Sequence, residues 1–207
     1  MPVTGLREQK KAATRAAISA ATLQLTTSSG FAAVSVEDIA AAANVSTRTF
    51  HNYFPSREAA LLAVLEDVER FQSDAFLARD AHEPVLDSLE AAALALVGHA
   101  TFLDNTVRVT RLIIANPGLI AHATAVAHQA AADLLAEIGR RTGTDPDVDL
   151  FPRLAYNASQ SVTGSVVELI VGGQPLPAPP VTLVHRGFDQ LRKGISQPQG
   201  SGITRAR

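Results

Sequence analysis

Apolar residues recur along most of this chain at intervals of three and four, the period of a helix with one buried face. Ile18, Ala21 and Leu25 form the stripe of a first helix, predicted from about Leu6 to Thr26. Ser28-Ser29-Gly30 stops it, and Phe31 and Val34 are placed to pack the following loop down. Val36, Ile39, Ala40 and Ala43 predict a short helix, and a second short helix follows with only Val45, Phe50 and Phe54 directed inward. Leu61, Leu65, Val68 and Phe71 or Gln72 predict a long helix from Arg57 to about Arg79, with a break at Ala81 to Pro84. Leu86 to Leu103 then predicts a helix to about Asp104, and Thr106 to Ala115 a shorter one ended by Asn116-Pro117-Gly118. Ile120 to Arg141 reads as one long helix and Pro152 to Val171 as another. A Pro-rich connection, Gly172 to Pro180, leads to a last helix marked by Val184, Phe188, Leu191 and Ile195. Alternating β-type patterns are scarce, so the expected fold class is all-α; residues 196–207 read as a disordered tail.

The segment from Ser35 to Leu62 carries the densest local signals. Ser35 can cap a helix, with Asp38 three residues on to complete a reciprocal box. Asn44 tolerates the left-handed turn that leaves that helix. Ser46 caps the next helix and Ser56 the one after. Between them Thr47, Arg48, Thr49, His51, Asn52 and Tyr53 crowd donors onto about two turns. A helix laid in a DNA major groove needs this set: Arg for guanine, Asn for adenine, hydroxyls for phosphate. Thr47, Arg48 and Asn52 are the candidates for base edges. Ser35, Ser46, Thr49, His51, Tyr53 and Arg57 are the candidates for the phosphate backbone. Arg7, Lys11 and Arg15 recur every four residues on the first helix, a stripe placed to touch the backbone beside them, with Lys11 at its centre.

Net charge is −2, which by itself argues against a nucleic-acid binder. Its distribution changes that picture. Residues 1–57 hold six Lys/Arg against three acids, a net of +3, whereas the remainder holds 12 against 17, a net of −5. Such a chain docks DNA with one end. There is no Cys, so disulfides and thiolate metal sites are excluded. The N-terminus lacks the apolar core of a signal peptide, and a cytoplasmic location is expected. Leu112 to Ala132 is free of formal charge, but Asn116-Pro117-Gly118 interrupts it, so it reads as a helix end and a buried helix, not a membrane span.

The run IAAAANVSTRTFHNYFPSREAAL resembles the helix-turn-helix signature of the TetR-type transcriptional regulators, and the resemblance extends over residues 10 to 65. Asn44 stands where that pattern has Gly, His51 where it has Tyr, and Arg57 where it has Lys. The second half is similar to a TetR branch associated with acyl-CoA-like effectors, through Arg111 to Leu119, the Asp145 to Asp149 loop and Gly172-Gly173. The resemblance implies a DNA-binding domain at 1–57 and a ligand-binding and dimerisation domain at 58–195. It implies a homodimer on double-stranded operator DNA, acting as a repressor released by a small, largely apolar or acyl-CoA-like effector. A constitutive or architectural DNA-binding protein without a ligand is the alternative.

No phosphate loop, nucleophile elbow or HExxH is present, so no enzyme activity and no cofactor are expected. The six His show no i, i+4 pair, so no metal site is expected either. Polar groups on otherwise apolar helices are candidates to orient a ligand in a cavity: His99, Phe102, Arg108, Arg111, His122, Asn157 and Ser161. An anionic end of the effector is expected near Arg108 or Arg111. The small-residue faces of the last two helices are expected to pair across a two-fold axis.

Overall fold

The computed structural model describes residues 5–195, with backbone alone at 128–130. Every regular element among these residues is helical: α1 (Leu6–Ser29), α2 (Val36–Ala42), α3 (Thr47–Tyr53), α4 (Arg57–Leu77), α5 (Val85–Gly98), α6 (Ala100–Ala115), α7 (Ile120–Ala130), α8 (Ala132–Thr142), α9 (Leu150–Val171) and α10 (Pro180–Lys193), with short 3-10 turns at Phe31–Ala33 and Pro117–Leu119. No single described helix is long and apolar enough to cross a membrane. The predicted tail, 196–207, lies outside the described residues.

Two boundaries differ from the sequence pattern. The predicted helix to Asp104 breaks instead at His99, where the chain turns 86° between α5 and α6. The apolar period runs unbroken from Leu96 through Ala100 and Leu103, across that corner, which hides it. Gly98 and the extended backbone of His99 (φ −97°, ψ 100°) make the turn. The predicted helix Ile120 to Arg141 is divided at Ala131, although the amide of Ala131 still donates to the Ala127 carbonyl and the Leu135 amide to the Ala131 carbonyl.

Three apolar clusters hold the helices together, and α4 alone among the described elements supplies residues to all three. Ala60 and Ala63 lie under Ile18, Ile39, Phe50 and Phe54, the core of the N-terminal helices. Packing of those helices therefore runs into α4, past the expected boundary at 57. Leu61, Leu62 and Val64 join Leu23, Phe31, Val109, Leu112 and Leu119. Phe76 belongs to the large cluster of α5, α8, α9 and α10, with Leu89, Ile138, Tyr156, Val184 and Phe188.

Arginines anchor α4 at both ends. Arg57 Nη1 donates to the carbonyls of Phe31 (3.1 Å) and Val34 (2.6 Å), and its guanidinium lies 4.6 Å from the Phe31 ring centroid. At the other end Arg141 of α8 is nearly fully buried. It donates to the carbonyls of Phe76 (3.3 Å), Arg79 (3.4 Å) and Asp80 (3.3 Å), stacks over Phe76 and pairs with Glu137 at 2.9 Å. A cation at the C-terminal end of a helix opposes the helix dipole, and here it adds a charged donor to the Phe76 carbonyl of α4 and to those of Arg79 and Asp80 just beyond it. Hydrogen bonds from Arg140 and Arg141 hold the Glu137 carboxyl down at about 2.

Helices α9 and α10 approach closely because residue 187 has no side chain: a Cβ there would come within 2.5 Å of Val162 Cγ1. Arg192 of α10 reaches back to Asp87 and Glu90 of α5, both at 2.5 Å, and His185 Nδ1 lies 2.6 Å from Glu90.

The Arg141 cap gives a stability prediction. Arg141→Met keeps much of the stem's volume but leaves Glu137 and three carbonyls without their shared donor, so it should cost about 3 kcal/mol. Arg140→Ala removes an exposed pair from the same carboxylate and should cost under about 1 kcal/mol. Urea unfolding followed by circular dichroism measures both.

Candidate nucleic-acid interface and effector cavity

The helix-turn-helix is built by caps. Ser35 Oγ accepts from the Asp38 amide (3.1 Å), and Asp38 Oδ2 accepts from the Ser35 amide (2.9 Å) and hydroxyl (2.6 Å). These bonds hold the Asp38 carboxyl below its ordinary range. The chain leaves α2 through Asn44 at φ 54°, the left-handed conformation that Asn tolerates. Ser46 Oγ accepts from the Thr49 amide at 3.0 Å and opens α3.

Of α3 only Phe50 is buried. It packs on Phe54, with ring centroids 6.1 Å apart, and fixes the helix phase. Thr47, Arg48, His51 and Asn52 then face solvent, while Thr49 and Tyr53 are half-buried. His51 stands edge-on to Phe50 at 5.3 Å. The Arg48 side chain has no hydrogen bond or ion pair among the described residues, whereas the Ser35, Ser46 and Thr49 hydroxyls are engaged in capping. A shallow groove brings Arg7, Lys10, Lys11 and Thr14 of α1 beside Thr49, Asn52 and Tyr53 of α3. Lys11, the centre of the four-residue stripe, and Lys10, which that stripe passed over, both line this groove.

Two cations depart from expectation. Arg57, read as a phosphate donor, points inward and is committed to the Phe31 and Val34 carbonyls, because the first turn of α4 lies against that loop. Arg15, read as the end of the basic stripe, pairs with Glu66 and Asp67 of α4 and lies 5.1 Å from the Phe54 ring centroid. Both join elements of the fold.

The helices beyond α3 form a half-open cavity of about 540 Å³ between α4, α5, α6, α7, α8 and α9. Leu65, Val68, Leu96, Ala127, Leu135 and Val167 give it apolar walls. One wall carries a polar pole. Glu69 Oε2 accepts from Tyr156 Oη at 3.1 Å, and Glu69 Oε1 accepts from Gln160 Nε2 at 2.8 Å. Gln160 Nε2 also donates to Tyr156 Oη at 3.0 Å. Desolvation pushes the Glu69 carboxyl above its ordinary range, against the two hydrogen bonds that lower it. Burial and the neighbouring carboxylate also push the Tyr156 phenol up.

Of the seven ligand candidates only Asn157 lines this cavity. His99 caps α6 and packs against Phe71 and Phe102, at 5.5 and 4.8 Å, in an aromatic group outside the lining. Arg108 pairs with Asp104 at 3.6 Å, and Arg111 donates to the Ile170 carbonyl at 3.4 Å; neither lines the cavity, whose one cation among the described residues is Arg153. His122 is exposed and sits 3.3 Å from the Gly118 carbonyl. Ser161 lies on the other face of α9, in a groove shared with Leu183, Arg186 and Gly187 of α10. Helical phase is the reason. Tyr156, Gln160, Thr163 and Val167 recur at four, three and four residues along one face of α9 and line the cavity, while Ala158, Ser161, Val162 and Ser165 share another and line the groove. Glu69, Tyr156 and Gln160 escaped sequence reading. The signal available was a carboxylate set against Leu65, Val68 and Gln72 on the apolar side of α4.

Residues 18–64 match the model of bacterial regulatory proteins of the tetR family, and residues 83–196, more than half of the chain, match that of the MftR C-terminal domain. The HTH-type transcriptional regulator TcmR of Streptomyces glaucescens is 29% identical over 170 residues, which span 79% of this chain and 75% of that protein. Among solved structures, the fatty acid degradation regulator FadR from Bacillus halodurans superposes with a TM-score of 0.59 at 20% identity, covering 89% of this chain and 97% of that one. The TetR-like transcriptional regulator LfrR from Mycobacterium smegmatis, solved in complex with proflavine, superposes with a TM-score of 0.52 at 22% identity, covering 89% and 98%. The structural likenesses carry the fold and the two sequence models carry the family: this chain is a transcriptional regulator of the TetR family, with an N-terminal helix-turn-helix and an MftR-type C-terminal domain.

Proposed function

We propose that the protein is a ligand-responsive repressor that binds a palindromic operator as a homodimer and leaves it when a small, largely apolar effector enters the cavity. The observation that carries this reading is the place of α4. Leu65, Val68, Glu69 and Gln72 line the cavity, while Ala60 and Ala63 of the same helix lie under Phe50 and Phe54, which set α3. An occupant that displaces α4 moves the seat of the reading helix. Couplings of this kind are worth about 1–3 kcal/mol, roughly a 5- to 150-fold change in operator affinity.

The exposed groove of α9 and α10 supplies the two-fold contact, with Ala158, Val162, Leu169, Leu183 and Leu191 as its apolar part. One α3 reads too few bases for useful specificity, and two reading helices in a dimer read two half-sites. Thr47, Arg48 and Asn52 meet base edges, and His51 and Tyr53, with Lys10 and Lys11, meet phosphates. Ser35, Ser46 and Thr49 act chiefly through their caps, and Arg57 holds the loop beneath them. LfrR holds proflavine within the same fold, which supports a ligand role for the C-terminal helices.

Selection from random duplex DNA tests the function. Recovered sites should be palindromic, with half-site centres about one helical turn apart or a little more. Asymmetric single sites, or no preferred sequence, would count against the dimeric repressor.

Three substitutions separate the roles on the selected site. Arg48→Ala should cost roughly 1–3 kcal/mol per half-site and blur one base position. Lys11→Ala should weaken all sequences alike and reduce the salt slope by about one per subunit. Arg57→Ala should leave the salt slope unchanged and destabilise the N-terminal core by about 2 kcal/mol, the scale of hydrogen bonds from a charged donor. Operator titrations at several salt concentrations, with thermal melts of each variant, read all three.

A further inference from the structure

The geometry points to an apolar cation, an amine-bearing molecule protonated at neutral pH, as the effector class, with its charged N–H group held at Glu69 and its apolar body along Leu65, Val68, Leu96 and Val167. This rests on the effector reading above and specifies the chemistry of the same cavity.

Many of the cavity's donors are already spent within the fold. Tyr156 Oη and Gln160 Nε2 both spend protons on the Glu69 carboxylate. Three lining threonines spend theirs on their own helices: Thr106 on the Phe102 carbonyl (2.7 Å), Thr124 on Ile120 (3.0 Å) and Thr163 on Ser159 (3.4 Å). What these groups offer an occupant is lone pairs: those of Glu69, the Gln160 carbonyl and the threonine oxygens. The charged residues of the lining are Glu69, Glu168 and Arg153, two carboxylates against one guanidinium. Arg153 is half-exposed and already donates to the Pro146 carbonyl at 2.9 Å, with Asp147 at 3.5 Å. An anionic head entering this space meets the Glu69 carboxylate, with only neutral donors left without a partner among the described residues, the amides of Gln72 and Asn157 and the Thr110 hydroxyl, and Arg108 and Arg111 lie outside the lining. A protonated amine meets an acceptor pole with one formal negative charge already positioned.

Stability bears on the same assignment. Burial raises the Glu69 carboxyl. A carboxylate whose pKa is raised on folding loses folded-state stability as pH rises through that raised value. Burial therefore disfavours the ionised form while the cavity is empty, and a cationic occupant beside the carboxylate offsets that cost. A group that costs stability when the cavity is empty and is compensated when it is filled is expected at a binding site.

The test uses one apolar chain with three heads: decylammonium, decanol and decanoate, titrated into the full-length protein by calorimetry below their micellar concentrations at pH 7. Decylammonium should bind about tenfold or more tighter than decanoate, with decanol between them. Glu69→Gln should abolish that preference. It should also melt higher than the wild type when empty, which shows that the variant is folded. If decanoate binds as tightly as decylammonium or tighter, the cation inference is overturned while the effector reading stands. A preference for decylammonium that survives Glu69→Gln overturns the assignment to Glu69. If no member binds, the inference and the effector reading fall together.

Discussion

Burial of α4 on all sides over one turn is the constraint on which the rest depends. Ala60, Leu61, Leu62 and Ala63 follow one another in sequence and are at most 1% exposed. Four consecutive helical residues point about 100° apart, so no face of that turn is free. Two face the helix-turn-helix core and two face the cluster of α1, α6 and the Pro117–Leu119 turn. A turn enclosed in this way cannot slide alone. Packed interiors shift between discrete arrangements and do not yield continuously. Motion imposed on the later turns of α4 must therefore be passed to the packing around Phe50 and Phe54.

The arginines sort by their distance from this axis. Arg57 and Arg141 secure its two ends, and Arg15 ties its middle to α1 through Glu66 and Asp67. Arg48, on the outer face of α3, is left for a partner. Buried or shared guanidinium groups thus maintain the frame, and the solvent-facing one is available for recognition, although all four look alike in composition. The same division runs through α9, whose two faces serve a cavity and an open groove. Gly187 lets α10 come close to α9 at Val162, beside the open groove.

Much of the fold was legible. Helical period, capping serines and Asn44 located α1 to α4 within a few residues, because local chemistry decides those boundaries. The corner at His99 was not legible, since the apolar period continues through it and tertiary packing bends the chain. The solvent-facing set of α3 was also readable in outline: α3 is short, and burying Phe50 leaves little choice about which residues face outward. Arg57 was misread because its carbonyl partners, Phe31 and Val34, lie more than twenty residues away. The cavity was barely readable. Its polar pole joins Glu69 to Tyr156 and Gln160 across α4 and α9, and neither helix marks those residues as a pair. Searching for polar groups on apolar helices found Asn157 but favoured Arg108 and Arg111, which the phase of α6 directs elsewhere.

In the proposed mechanism α4 transmits occupancy of the cavity to the separation of the two reading helices. The chain has no native Cys, so a single Ala41→Cys substitution on the exposed side of α2 gives one spin label per protomer. Pulsed electron spin resonance then measures the label-to-label distance in the proposed homodimer with the cavity empty and with saturating decylammonium. The account predicts a distance distribution that shifts by several ångströms on filling and returns toward the empty value when operator DNA is added. An unchanged distribution with the cavity filled and the operator released would contradict it.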